Sequence, residues 1–398
     1  MPKQMRTAMA PGDISPLESR LQTEGDTVKH WHFLGAAALA WAGLTANAGA
    51  QIIVGQTVGV TGAVAATVKE AGEGARLFID SVNAKGGIKG EKIEVVTLDD
   101  KFNVKQTVEN ARVLIEEKNA VVLFMNRGTP HTEAILPLLK KHGIALVGPS
   151  TGAMLMHNPV QPHVFNVRST YQREAQKAVE HLHTLGISRI AVVHVDDSFG
   201  RDGLEGANKG FAKAQITAAA VVKADRAKPD YATIVPPIVA SNAQSVIWIG
   251  SGTAVADGIK ALRAAGSAAQ VVTLSNNASG GFIKLLGNAS RGVIVTQVFP
   301  YERSFNYPFV QEALSLAKAK GLSEVSPAML EGFASAKVLV EALQRASPKP
   351  TREKVLAALE KLHKFNLGGL EVSYSPTDHT GLDFADLSII DGEGRFRR

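Results

Sequence analysis

Asp80-Ser81-Val82-Asn83-Ala84-Lys85-Gly86-Gly87-Ile88-Lys89-Gly90 lies between two segments of different character. Before it, Ala71–Asn83 has the length and period of an amphipathic helix. After it, Lys92–Leu98 is a short apolar, β-branched run ending at Asp99-Asp100. Glycines 86, 87 and 90 punctuate the junction, so the stretch reads as helix, turn, strand.

The same alternation continues outward. Candidate strands are Gln51–Val60, Lys92–Leu98, Ala120–Phe124, Ile144–Val147, Val164–Val167, Arg189–Val195, Val246–Ile249, Gln270–Leu274 and Val293–Val298, with short strands near Leu370–Tyr374 and Asp386–Ile390. Helical segments include Lys105–Glu117, Glu133–His142, Arg173–Leu185, Ala256–Ala265 and Pro327–Gln344. Alternating apolar strands and helices predict α/β architecture, with parallel sheets covered on both faces. So many strands exceed one small sheet, and Ser169–Val298 reads as a second doubly wound unit, giving two lobes. Pro236-Pro237 predicts a kink or break in the helix starting at Asp230. Thr129-Pro130 reads as a capping hydroxyl before a first-turn proline, and Ser169-x-x-Gln172 as a capping box whose helix ends at Gly186.

Composition excludes several classes of function. The 398 residues carry a net charge of +6, but acidic and basic side chains alternate, which gives nucleic-acid binding little support. With no cysteine there is no disulfide framework, thiolate metal site or thiol nucleophile. Lys29-His30-Trp31-His32, the apolar run Phe33–Leu44 and the small residues Thr45–Ala50 follow the order of a secretory signal peptide, with cleavage expected after Ala48 or Ala50. The polar stretch 1–28 ahead of it suggests that Val28 marks the true start.

In open parallel sheets ligands bind beyond the carboxyl ends of the strands. Met125-Asn126-Arg127-Gly128-Thr129-Pro130 and Gly148-Pro149-Ser150-Thr151-Gly152 follow two first-lobe strands. Between them they offer the hydroxyls of Thr129, Ser150 and Thr151, free N–H groups and a helix N-terminus, which suits a carboxylate; the other reading is turn and capping chemistry. Arg127 either pairs with that carboxylate or sits on the surface. In the second lobe, Asp196-Asp197-Ser198-Phe199-Gly200, Gly250-Ser251-Gly252-Thr253 and Ser275-Asn276-Asn277 face them across a cleft, with Phe199 either a lid or core. Asp196 and Asp197 read as solvated or capping carboxylates, and no metal site or cofactor motif is expected. Gly148–Gly152 also matches the G-x-S-x-G of hydrolases, with Asp378-His379 downstream, so a serine esterase using Ser150 is the enzymatic alternative. Pro149 and the proline-containing Ala153–Pro162 stretch weigh against it.

The segment Asp80–Gly90 with the strand that follows, together with Val58-Gly59-Val60-Thr61-Gly62, Leu146–Gly152, Val193–Gly200 and Leu262–Gly266, resembles the type I periplasmic binding proteins. More narrowly it resembles the leucine/isoleucine/valine-binding family. The resemblance implies two Rossmann-like lobes joined by three crossovers, closing on a ligand like a Venus flytrap. It divides the chain into a leader (1–50), first lobe (51–168 and 298–369) and second lobe (169–297 and 370–398). It implies no catalysis. The implied role is a periplasmic solute-binding protein that delivers an amino acid or a small organic or aromatic carboxylate to an ABC permease with separate ATPase chains, touching the membrane only through that permease. A ligand sensor is the non-transport alternative.

By position, Thr129 falls where the family places a hydroxyl on the ligand's α-carboxylate, and Ser150 and Gly152 complete that site. Phe199, Thr67 and Ser251 stand where leucine-type proteins have tyrosines. At Ser275-Asn276 those proteins place a glutamate on the ligand's ammonium, and here no carboxylate stands. An α-amino acid would need another acidic partner, for which Asp197 is a candidate; otherwise the ligand lacks an amine, with Arg127 adding positive charge.

Overall fold

A computed structural model describes residues 51–398, so the expected signal peptide lies outside the described residues. Strand β1 (Gln51–Val58) pairs in parallel with β2 (Lys92–Asp99) along its whole length, from Gln51 opposite Lys92 to Val58 opposite Asp99. Its other edge carries β3 (Val122–Phe124), followed by β4 (Leu146–Val147) and β5 (Val164–Phe165), in the order β2-β1-β3-β4-β5. Helices α1 (Ala65–Ala84), α2 (Val104–Glu116) and α3 (Thr129–His142) make the crossovers between these strands. Val54, Val122 and Phe124 pack on one face of the sheet, while Leu114, Leu123 and Ile135 pack on the other. Each such fully buried side chain contributes about 1.5–3 kcal/mol relative to exposure.

After α4 (Tyr171–Thr184) the chain builds a second sheet from β6 (Ile190–Val195), β7 (Ala220–Ala224), β8 (Ser245–Ile249), β9 (Gln270–Thr273) and β10 (Ile294–Gln297). These five run parallel in the order β7-β6-β8-β9-β10. Helices α5 (Ser198–Ala214), α6 (Tyr231–Ala240), α7 (Gly252–Ala264) and α8 (Gly280–Leu286) connect them. Two separate apolar clusters, one around Val246 and Trp248 and one around Val192 and Ile247, cover its two faces.

From Val298 the chain returns to the first lobe, where α9 (Pro308–Ala319), α10 (Pro327–Arg345) and α11 (Arg352–Glu360) bury Phe309, Phe333 and Leu359 in the first-lobe core. The expected strand Leu370–Tyr374 is shorter than anticipated. It is β12 (Glu371–Val372), paired only with β11 (Phe365–Asn366) in a small antiparallel ribbon. Val372, Tyr374 and Leu382 still pack in the first core, so the chain rejoins the second sheet at β13 (Asp386–Ile390), later than a boundary at 370. There β13 and β14 (Phe396–Arg397) run antiparallel, an exception to the parallel pattern expected throughout.

Local expectations are corrected in three places. Helix α6 continues through Pro236-Pro237 to Ala240. The two carbonyls those prolines leave without donors belong to Ala232 and Thr233, both in exposed residues on the solvent side, where the loss is cheapest. Thr129 is not the N-cap of α3: Gly128 is, at φ 98°, and the threonine hydroxyl is used elsewhere. The cap of α4 is Thr170, which accepts from the Arg173 amide, and not Ser169, whose hydroxyl has no partner. Gly186 ends that helix with φ 79°, as its position implied.

Candidate functional site

The carboxyl ends of both sheets meet around one cleft. At the end of β2 the side chains of Asp99 and Asp100 each accept an amide two residues on, from Lys101 and Phe102, both at 2.9 Å. These bonds hold Lys101 and Phe102 in left-handed conformations, φ 52° and 56°, and Phe102 projects into the cleft. His131 stacks behind its ring at 4.3 Å between centroids. Burial pushes that imidazole down to about 4, so it is neutral at ordinary pH.

The loops after β3 and β4 are zipped together beyond the sheet. Arg127 bridges Ser150 in parallel register, and the Ser150 amide donates to the Asn126 carbonyl at 2.8 Å. Thr129 and Thr151 share a hydroxyl–hydroxyl hydrogen bond of 2.8 Å. Gly152 is a place of close approach: a Cβ there would come within 2.5 Å of the Ser169 carbonyl. Arg127 is buried, with 4% exposure, and donates to the Ser150 hydroxyl at 3.1 Å and to the Asn276 main-chain carbonyl at 2.5 Å. Among the described residues no carboxylate lies within ion-pair distance of it. Burial pulls its pKa down, Tyr171 and the buried Glu331 oppose that, and a guanidinium stays protonated throughout.

From the second lobe, Asp197 caps α5 by accepting from the amides of Phe199 and Gly200, and it pairs with Arg226 beyond β7. Hydrogen bonds from these donors hold its carboxyl below the usual range despite burial. Phe199 is buried against Tyr171, with ring centroids 4.7 Å apart. The Asn276 amide donates to the Gly250 carbonyl and the Ser251 hydroxyl, at 2.9 and 3.0 Å, and its side-chain oxygen is buried without a partner. Beneath the cleft, Arg168 and Glu174 form a fully buried ion pair, and Glu174 also accepts from the Ser275 amide and the Thr296 hydroxyl.

Among the residues expected at a site, Arg127, Thr129, Ser150, Phe199, Ser251 and Asn276 line one small cavity between the lobes. Thr151 stands behind Thr129, and Gly152 supports the turn into Tyr171. Thr67 is placed differently: its hydroxyl meets that of Ser279, 2.9 Å away across the cleft, outside the lining. Phe102, Tyr171 and Arg226 line the cavity without having been anticipated. Asp197 is already taken by Arg226 and the α5 amides, so it is not free for an ammonium. The hydrolase arrangement is not assembled. The Nδ1 of His379 lies 3.0 Å from the Val164 carbonyl and its ring stacks on Phe165, while Ser150 holds Arg127.

A family model described as periplasmic binding protein matches residues 51–385. The chain belongs to that family. It is 23% identical to the Leu/Ile/Val-binding protein of Escherichia coli (strain K12) over 251 residues, covering 62% of this chain and 68% of the relative. To the Leu/Ile/Val-binding protein homolog 3 of Brucella melitensis it is 24% identical over 324 residues, 80% and 85% of the two chains. Among solved structures, a substrate-binding periplasmic protein from Ralstonia solanacearum is 32% identical, with TM-score 0.78 over 87% of this chain and 99% of that one. A branched chain amino acid ABC transporter protein from Thermus thermophilus, solved with bound valine, matches at TM-score 0.76, covering 87% of this chain and 94% of that one. At 19% identity it speaks to the fold alone. The two sheets, each closed by helices and crossed three times by the chain, are the two-lobed architecture of type I periplasmic binding proteins.

Proposed function

We propose that this chain is the exported substrate-binding component of an ABC importer. It captures a small carboxylate between its lobes and hands it to a membrane permease driven by separate ATPase chains. In this reading Arg127, Thr129, Ser150, Thr151 and Gly152 receive the carboxylate, while Phe199, Ser251 and Asn276 close over it from the second lobe. Thr67 acts by tying α1 to Ser279 in the closed form. Export rests on the leader sequence and the family; among the described residues no helix is long and apolar enough to cross a membrane.

The carrying observation is Arg127. A guanidinium sealed among neutral partners costs several kcal/mol unless an anion joins it. The same side chain argues against an ammonium. Arg127 donates to the main chain of Asn276, beside the place where an amino acid's ammonium would need a countercharge, and only a neutral amide stands there. Like charges at that spacing repel, so the branched-chain amino acids named for the relatives are disfavoured.

A thermal-shift series on the purified protein tests this. A ligand at a hundredfold excess over its Kd adds about 2.7 kcal/mol of stability, enough to read as a shift in Tm. Aliphatic and aromatic carboxylates should raise Tm, and leucine and valine should leave it unchanged. The reverse pattern would return the site to amino acids.

A further inference from the structure

Arg226 is not needed to hold a carboxylate at Arg127, yet it reaches the same cavity from the far side of the second lobe. It follows β7, the edge strand of that sheet, whereas Asn276 follows β9, three strand positions along. At ~4.8 Å per strand this separates their backbones by roughly 14 Å along the cleft. Across the cleft, Arg226 faces Phe102 beyond the edge strand β2, while Arg127 lies beyond β3, with β1 between them. The two arginines therefore enter the cavity from different strands of the sheets, and among the described residues they are the only charged side chains lining it.

The donors of Arg226 are incompletely used. Its Nε pairs with Asp197, its guanidinium carbon lies 5.3 Å from the centre of the Phe102 ring and 5.6 Å from that of Phe199, and its Nη2 is buried without a partner. A buried N–H without an acceptor costs about 1–3 kcal/mol, and a ligand oxygen placed there removes that cost. Asp197 and the two aromatic rings hold the guanidinium at the cavity wall, with Nη2 left over for a ligand oxygen.

We propose that Arg226 is a second recognition pole, and that the ligand is a bifunctional acid. Its carboxylate meets Arg127, a second carboxylate or anionic oxygen meets Arg226, and its body lies among Phe102, Tyr171 and Phe199. This rests on the carboxylate reading of the Arg127 end and adds the chemistry of the other end. A site built around a hydrogen-bonding group rejects analogues that lack it far more strongly than it rejects a missing methylene.

Calorimetric titration with matched acids tests the pole: glutarate against pentanoate, and terephthalate against benzoate. The bifunctional member of at least one pair should bind roughly tenfold or more tightly than its partner. The double substitution Arg226→Gln with Asp197→Asn removes the ion pair as a unit and leaves no orphaned charge. In that variant the preference should shrink to about twofold, with the monoacid's affinity held within about threefold. Equal binding of both members by the unaltered protein, or a preference that survives the double substitution, overturns the second pole while leaving the carboxylate site standing. Binding of leucine or valine with all four acids inert overturns the underlying reading and this one together.

Discussion

Arg127 carries a buried charge that has no ion-pair partner among the described residues, and stability and binding should therefore respond to its loss in opposite directions. Arg127→Met keeps most of the side chain's length and apolar stem while removing the buried guanidinium. Replacing buried charge by a well-packed apolar group is often stabilising by about 1–4 kcal/mol. The ligand-free Met variant should accordingly melt above the unaltered protein, while its affinity for a carboxylate falls by roughly 2–3 kcal/mol, or about 30-fold to 150-fold. Scanning calorimetry and titration read the two quantities separately. A lower Tm with unchanged affinity would assign Arg127 to holding the loops after β3 and β4 together. Its weight was partly legible in sequence, because an arginine beside a strand-end loop is either a ligand group or surface. Only the structure removes the surface alternative, by seating the side chain between Ser150 and the main chain of Asn276.

At the scale of elements, glycines decide both what packs and what could be read. Helices α1 and α10 cross where Gly74 and Gly332 face each other's backbones. A Cβ on Gly74 would lie 1.9 Å from the Met329 carbonyl oxygen, and one on Gly332 would lie 1.8 Å from that of Ala71. Exposed helical glycine-to-alanine changes gain up to ~1 kcal/mol from propensity. Here the clash is with backbone, which cannot swing aside, and overpacking costs about 1–3 kcal/mol or more. Gly74→Ala and Gly332→Ala should therefore each lower the denaturation free energy by about 1–2 kcal/mol net in urea titrations, and a gain in either would mean the helices can separate without loss. Helix α5 shows the same physics from the side of recognition. Its glycines 200, 203, 206 and 210 argue against a helix by propensity, yet a Cβ at Gly200 would come within 1.7 Å of the Val195 carbonyl oxygen, and one at Gly206 within 2.5 Å of that of Gln172. Tertiary approach demanded them, and no local pattern reports that. Strand β7 was missed for a related reason: it is a short edge strand with Val221 exposed. Missing the strand hid Arg226 with it, because a residue is recognised as cleft-facing only when the strand before it is. The buried strands β6 and β8 were legible because β-branched and apolar residues dominate them, and the loops that follow them were found along with them.

For the whole molecule, the lobes as they stand are latched across the cleft. Glu70 on α1 accepts the amides of Gly280 and Gly281, Thr67 meets Ser279, and the Ala63 carbonyl accepts from Thr253 at 3.1 Å. A ligand shifts the balance between open and closed forms only through contacts that differ between them. Gly252 is such a place, since a Cβ there would sit 1.8 Å from the Ala63 oxygen of the opposite lobe. Its φ of 56° costs an alanine about 1–2 kcal/mol whether the lobes are open or closed, so the additional clash falls on the closed form alone. Gly252→Ala should weaken ligand binding by roughly tenfold or more, because closure and binding draw on the same free energy. Small-angle scattering at saturating ligand should then find the radius of gyration still at its ligand-free value. Gly280→Ala is the matched control: its added Cβ meets only the flexible end of Glu70, at 3.5 Å, and closure should survive. If both variants close and bind alike, the contact between Gly252 and Ala63 is incidental to capture. If Gly252→Ala alone stays open, closing the cleft over the two arginines is the step into which binding energy is converted.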